Sequence, residues 1–274
     1  MSDEKRAALK NVKRVVIKVG TSTLTHQTGR MNLIRMDKLS MVISELINQG
    51  YLVVLVSSGA IGVGMGKLNI KERPKAMGVK QALAAVGQCE LMNIYSKMFS
   101  AYNQIVAQIL LTKNDVEDDH KRENIINTFE HLLARHILPI VNENDTVSID
   151  EVAAMDNFGD NDTLSAVVAQ LIHADLLIIL TDTDGFYNGN PKEHVDCKLI
   201  DTVTEITDEI RHYAGGKGTK LGTGGMVTKL NAADIATNSG IHVVLANGDD
   251  PFTVFHILSG EKTGTLFVSK DKKI

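Results

Sequence analysis

Short apolar runs recur along the chain at Val15 to Val19, Leu52 to Val56, Ile105 to Leu111, Ile137 to Val141, Leu176 to Leu180 and Ile241 to Leu245. Each is followed by a glycine-rich or polar turn and then a helical pattern. Runs this uniformly apolar predict strands buried on both faces, as in a parallel sheet covered by helices. Between them, Met36, Leu39, Ile43, Leu46 and Ile47 fall on one helical face that Gly50 ends, and Ile125, Phe129, Leu132 and Leu133 form another. Lys80 to Ser100 predicts a third, longer helix. The βαβα alternation predicts an α/β fold, a three-layer αβα sandwich around an open, mainly parallel sheet. No repeat, low-complexity segment or Pro/Ser linker divides residues 1–274, so one domain is expected. Two loop-rich stretches, Lys67 to Gly78 and Tyr187 to Lys198, read as insertions at the sheet's edge.

Composition narrows the function. With 23% charged and 43% hydrophobic residues, the chain can bury a core without staples. A net charge of −4 lacks the electrostatic footprint of a nucleic-acid binder, and with 4% aromatic residues and no Trp there is no stacking platform for single strands. The longest apolar run, Leu164 to Leu180, is interrupted by Gln170, His173 and Asp175, which argues against a membrane span. Cys89 and Cys197 fit neither a disulfide framework nor a metal cluster, and the charged N-terminus lacks the apolar stretch of a signal peptide. A cytoplasmic location is expected.

Four places could carry chemistry. Lys18 ends an apolar strand that runs into Gly20-Thr21-Ser22; a lysine there is costly unless it meets an anion, although an edge lysine can also snorkel. Ser57 to Gly66 reads as a second glycine turn, either an anion loop or a tight strand-to-helix connection. Gly215 to Met226 is glycine-rich, free of carboxylates and opens a helix with Lys229 one turn in. Orphan N–H groups and the dipole favour phosphate there, while a solvent loop is the plain alternative. Asn142 to Asp145 and Gly159 to Thr163 suit an amino-acid ammonium or Mg²⁺, or Asp160 or Asp162 merely caps a helix. Neither a Walker A pattern nor G-x-G-x-x-G occurs, which disfavours P-loop NTPases and dinucleotide oxidoreductases.

Together these segments are similar to a known family. KVGTS at Lys18 to Ser22, SSGAI at Ser57 to Ile61, KQALAAVGQ at Lys80 to Gln88, NEND at Asn142 to Asp145, GDNDTLSA at Gly159 to Ala166, LTDTDGFY at Leu180 to Tyr187 and LGTGGMVTK at Leu221 to Lys229 resemble the glutamate 5-kinase family of the amino-acid kinase superfamily. The resemblance runs in order from about Val12 to Val268. It implies the amino-acid kinase fold as a single domain without the C-terminal PUA domain that often follows it. It also implies ATP and L-glutamate as substrates, with L-glutamyl 5-phosphate as product, the first step of proline synthesis.

Carried over by motif, Lys18, Lys229, Asp160 and Asp162 would be catalytic. ATP would be held by Lys18, Thr181, Asp182, Thr223, Gly224, Gly225, Met226, Val227, Thr228 and Lys229, and glutamate by Ser58, Asp145 and Asn161. Mg²⁺ would arrive on the ATP phosphates with no dedicated protein ligand. A homo-oligomer, dimer or tetramer, and hand-over of product to glutamyl phosphate reductase are implied as well. The competing readings are another superfamily kinase, acting on acetylglutamate or a nucleotide, and a non-catalytic amino-acid sensor on the same fold.

Overall fold

The computed structural model describes residues 2–26, 30–147, 158, 160–191, 196–215 and 225–270. Its elements run α1 (Ser2–Ala7), β1 (Arg14–Val19), α2 (Thr21–Leu24), α3 (Leu33–Asn48), β2 (Leu52–Ser57), α4 (Ala60–Lys67), α5 (Met77–Ser100), β3 (Val106–Leu111), α6 (Lys113–Glu117), α7 (Asp119–Leu133) and β4 (Leu138–Glu143). They continue with α8 (Asn161–Leu171), β5 (Leu176–Thr181), β6 (Thr202–Val203), α9 (Asp208–Tyr213), α10 (Met226–Asn238), β7 (His242–Asn247), α11 (Thr253–Leu258) and β8 (Thr265–Phe267). Contacts divide the chain into two compact units, one of Met1–Lys18 and Asp162–Ile274, the other of Val19–Asn161.

In the Val19–Asn161 unit the strands run in the order β3, β4, β2, all parallel, with Leu55 beside Ile140 and Val106 beside Leu138. Successive strand side chains point to opposite faces, so the unbroken burial of Val53 to Ser57 in β2 means that both faces are covered. β3 departs from the expected two-sided burial. Only Leu111 of its six residues is buried and Ile105 before it is 66% exposed, as befits a strand at the end of this order. α3 forms as its pattern predicts: Asn32 caps it by accepting the Arg35 N–H at 3.1 Å, and Gly50 leaves it with φ +88°.

The glycine-rich stretch after β2 is not an open loop. Gly62, Gly64 and Gly66 are helical residues of α4, and α5 begins at Met77, three residues earlier than the sequence pattern indicates. The reason is a close crossing. A Cβ on Gly64 would lie 2.1 Å from the Leu83 carbonyl oxygen, and one on Gly87 would lie 1.7 Å from the Ala60 carbonyl oxygen. Only residues without side chains let these two backbones touch.

In the other unit the order is β1, β5, β7, β8, β6, with β5 parallel to β7 from Leu176 beside His242 to Thr181 beside Asn247, and β8 antiparallel to β7. All six residues of β5 are buried, so this sheet too is covered on both sides. Arg6 of α1 is fully buried and donates to the carbonyls of Asp201, Glu261, Thr263 and Gly264 at 2.8 to 3.1 Å, with an ion pair to Asp201 at 2.9 Å. It ties the N-terminus to the turn before β8. The fold is α/β with a mainly parallel sheet flanked by helices, as the sequence pattern predicts. Among the described residues no helix is long and apolar enough to cross a membrane.

Candidate active site

In the unit holding Met1–Lys18 and Asp162–Ile274, three charged side chains meet in the interior. Lys18 sits near the C-terminal end of β1, Asp162 in the first turn of α8 and Lys229 in the first turn of α10. Lys18 Nζ lies 2.6 Å from Asp162 Oδ1 and Lys229 Nζ lies 3.1 Å from Asp162 Oδ2, with the three side chains only 7%, 10% and 1% exposed for Lys18, Lys229 and Asp162. Thr228 donates to Asp162 Oδ2 at 2.8 Å. Burial alone would raise the Asp162 pKa. The charges of Lys18 and Lys229 and the hydrogen bonds from Lys18 and Thr228 outweigh it and hold the carboxyl below its ordinary value. Asp162 is therefore ionised, and the three groups sum to one positive charge, which a phosphate oxygen would neutralise.

The remaining nucleotide candidates lie at the ends of neighbouring elements. Thr181 ends β5, its carbonyl accepts the Gly248 N–H at 2.8 Å, and its hydroxyl donates to Asp182 at 3.2 Å. α10 begins after Gly225 without a side-chain cap, and Met226 and Val227 occupy its first turn, Val227 exposed. Thr223 and Gly224 lie outside the described residues, as does most of the stretch from Gly215.

The Val19–Asn161 unit gathers a second, polar cluster. Asn161 Nδ2 donates to Ser58 Oγ at 2.9 Å and to Asn142 Oδ1 at 3.1 Å. Asn142 Nδ2 donates to Gln88 Oε1 at 2.9 Å, and Asn142 Oδ1 also accepts the Glu143 N–H at 2.9 Å. Asn161 Oδ1 is buried with no partner among the described residues. Beside it stand carboxylates. Burial raises the Asp145 pKa against the opposing charge of Arg73. Burial, then the charge of Asp145, pushes Glu143 up to about 7; the Phe158 N–H opposes this and Asp160 adds to it. Asp160 thus adds its charge to this carboxylate group.

Ser58, Asp145 and Asn161 carry expected roles from the sequence, whereas Gln88, inside the KQALAAVGQ segment, carries none. The signal is present: Gln88 shares the buried face of α5 with Ala84, Leu91 and Tyr95, where an amide is out of place unless something binds it.

Two lysines converge on one buried carboxylate, at the end of a strand and the start of a helix, in an α/β fold with a mainly parallel sheet flanked by helices. A family profile described as "Amino acid kinase family" matches residues 13–247. The chain is 56% identical over 265 residues to the glutamate 5-kinase of Clostridium perfringens, covering 97% of this chain and 98% of the relative. It is 53% identical over 268 residues to that of Listeria innocua, covering 98% and 97%. The chain belongs to the amino acid kinase family and, within it, to the glutamate 5-kinase family. Among solved structures, the Giardia lamblia carbamate kinase bound to AMP-PNP aligns with TM-score 0.66 at 16% identity over 95% of this chain and 100% of that one. The isopentenyl phosphate kinase of T. acidophilum aligns with TM-score 0.65 at 15% identity over 93% of this chain and 100% of that one. These two likenesses bear on the fold alone.

Proposed function

We infer that this chain transfers the γ-phosphoryl group of ATP to the side-chain carboxylate of L-glutamate, giving ADP and L-glutamyl 5-phosphate, the first step of proline synthesis. The observation that carries the reading is the pairing of Lys18 and Lys229 with buried Asp162. A glutamate carboxylate has an ordinary pKa near ~4.3 and is ionised at neutral pH, so no proton is abstracted. A carboxylate oxygen forms the new bond to phosphorus as the bond to the ADP oxygen breaks. Catalysis then consists of alignment and of neutralising charge as one anion approaches another.

We assign that neutralisation to Lys18 and Lys229, held by Asp162. Thr181, Asp182, Gly225, Met226, Val227 and Thr228, with Thr223 and Gly224, are proposed to hold the nucleotide. Ser58, Asp145 and Asn161 are proposed to hold glutamate. The buried Asn161 Oδ1, without a partner among the described residues, supports this, because an amino-acid ammonium would supply a donor to it. Asp160 is retained as a candidate that shapes the charge around the acceptor. The described residues include no group of three or more His, Cys, Asp or Glu suited to a metal, and a Mg²⁺ ion that takes phosphate oxygens and waters as ligands needs none. Bound with ATP, such an ion would supply neutralisation of phosphate charge beside Lys18 and Lys229.

The single family match running from residue 13 to 247 supports treating both units as one kinase domain. A cytoplasmic homo-oligomer that passes its product to glutamyl phosphate reductase completes the proposal. An ADP-release assay over glutamate, aspartate, acetylglutamate and UMP, with and without Mg²⁺, tests the reading. Glutamate is expected to be preferred, and Asp145→Ala and Asn161→Ala are expected to raise its KM at least tenfold while the ATP KM moves less than threefold. Equal effects on both substrates would remove these residues from the glutamate site.

A further inference from the structure

The chain of amides from Gln88 to Asn161 has a direction, and the backbone sets it. A main-chain N–H can only donate, so the Asn142 atom 2.9 Å from the Glu143 nitrogen must be the oxygen. The Asn142 amide nitrogen then points at Gln88, which must present its oxygen, at 2.9 Å. The Asn161 atom 3.1 Å from Asn142 Oδ1 must in turn be a donor, which leaves the Asn161 oxygen buried and without a partner among the described residues. Gln88 and Asn142 are 8% and 2% exposed, so water does not readily substitute for either bond.

We propose that Gln88, a residue of α5, is a positioning residue for the amino-acid acceptor: by holding the Asn142 amide it fixes Asn161 with its oxygen turned toward the acceptor's ammonium. This rests on the glutamate reading above. Without an oxygen at position 88, the Asn142 amide loses the partner that opposes its reversal. A reversed Asn142 would set two donors against each other at Asn161, whose own amide then turns and presents N–H groups to an incoming cation.

The test compares Gln88→Met, which keeps size and removes the acceptor, with Gln88→Glu, which keeps an oxygen, alone and in an Asn161→Asp background where both terminal atoms are acceptors. Gln88→Met is expected to raise the glutamate KM about tenfold, with kcat and the ATP KM within threefold of wild type, while Gln88→Glu stays within threefold throughout. In the Asn161→Asp background the effect of Gln88→Met is expected to fall below twofold, since orientation no longer matters. Should the methionine variant not fold, Gln88→Ala, which likewise removes the acceptor, provides the same comparison. An unchanged glutamate KM in Gln88→Met, equal losses in both position-88 variants, or additive effects with Asn161→Asp would overturn the proposal and leave the glutamate site standing. If Asn161→Asp itself leaves the glutamate KM untouched, both the site reading and the proposal fall.

Discussion

Replacing Asp162 by Asn perturbs the phosphate cluster with the least change in shape. At an effective dielectric of about 20, unit charges at the two ion-pair distances attract by roughly 6 and 5 kcal/mol before desolvation is counted. Most of that is offset by the cost of burying the ions, and breaking a buried pair nets about 3 to 5 kcal/mol because uncompensated charge remains. Here two lysines would face each other without the anion between them. Asparagine keeps one oxygen that can accept from Thr228 or a lysine, so a loss of about 3 kcal/mol is expected, the low end.

The pH dependence follows from the direction of the shift. The Asp162 pKa is lowered on folding, so its contribution is present above the unfolded value near ~3.9 and is lost as pH falls through the folded value. Urea unfolding of both proteins should give the full gap at pH 7 and a shrinking gap below about pH 4. The kcat should drop by about two to three orders of magnitude as the lysines lose their anchor. Equal stability at pH 7, or a gap that persists unchanged into acid, would refute the reasoning.

Lys18→Ala and Lys229→Ala should each lower kcat by about two to three orders of magnitude, or roughly 3 to 4 kcal/mol; a variant keeping more than a tenth of wild-type kcat would remove that residue from charge stabilisation. Gly87→Ala would place a Cβ 1.7 Å from the Ala60 oxygen and 2.5 Å from the Gly64 nitrogen, so α4 and α5 must part; a loss of about 3 kcal/mol is expected, and a wild-type melting temperature would contradict the close crossing. Glu143→Gln addresses a carboxyl raised to about 7, which favours the fold below its unfolded value and loses that contribution as pH rises through about 7. The variant should melt higher than wild type at pH 8 and lose this advantage below about pH 5 in thermal unfolding; a pH-independent difference would exclude titration of Glu143 as the cause.

Periodicity carries most of the fold. The runs that predict β1, β2, β4, β5 and β7 end within two residues of the observed strands, because strands covered on both faces leave an uninterrupted apolar signature. β6, with only Thr202 and Val203, is too short to have one. Arg6 is invisible for another reason: nothing in a charged N-terminal segment says that one of its guanidinium groups will be sealed against four carbonyls from the other end of the chain. Glycine is an ambiguous signal. The run from Ser57 to Gly66 reads as an anion loop or as a tight strand-to-helix connection, and its helical Gly64 answers to α5, a partner that no local pattern specifies. Lys18, Lys229 and Asp162 were legible as motif members, but their convergence on one carboxylate depends on strand order, which the sequence pattern leaves open.

The glycines of α4 and α5 also bear on the site. Glycine costs about 1 kcal/mol per residue in a helix interior, so keeping Gly64 and Gly87 at the crossing is a local weakness that the fold tolerates for a reason. Gly87 immediately precedes Gln88, and α4 begins two residues after Ser58. The contact that needs both glycines therefore fixes the depth of the helix turn carrying Gln88 against the start of α4. A side chain at position 87 would lift that turn by more than an ångström, enough to lengthen the 2.9 Å bond from Asn142 to Gln88 past the useful range for a hydrogen bond. Packing and amide polarity are thus one constraint, and a Gly87 variant that still folds should show the glutamate-KM defect of Gln88→Met in addition to its lost stability.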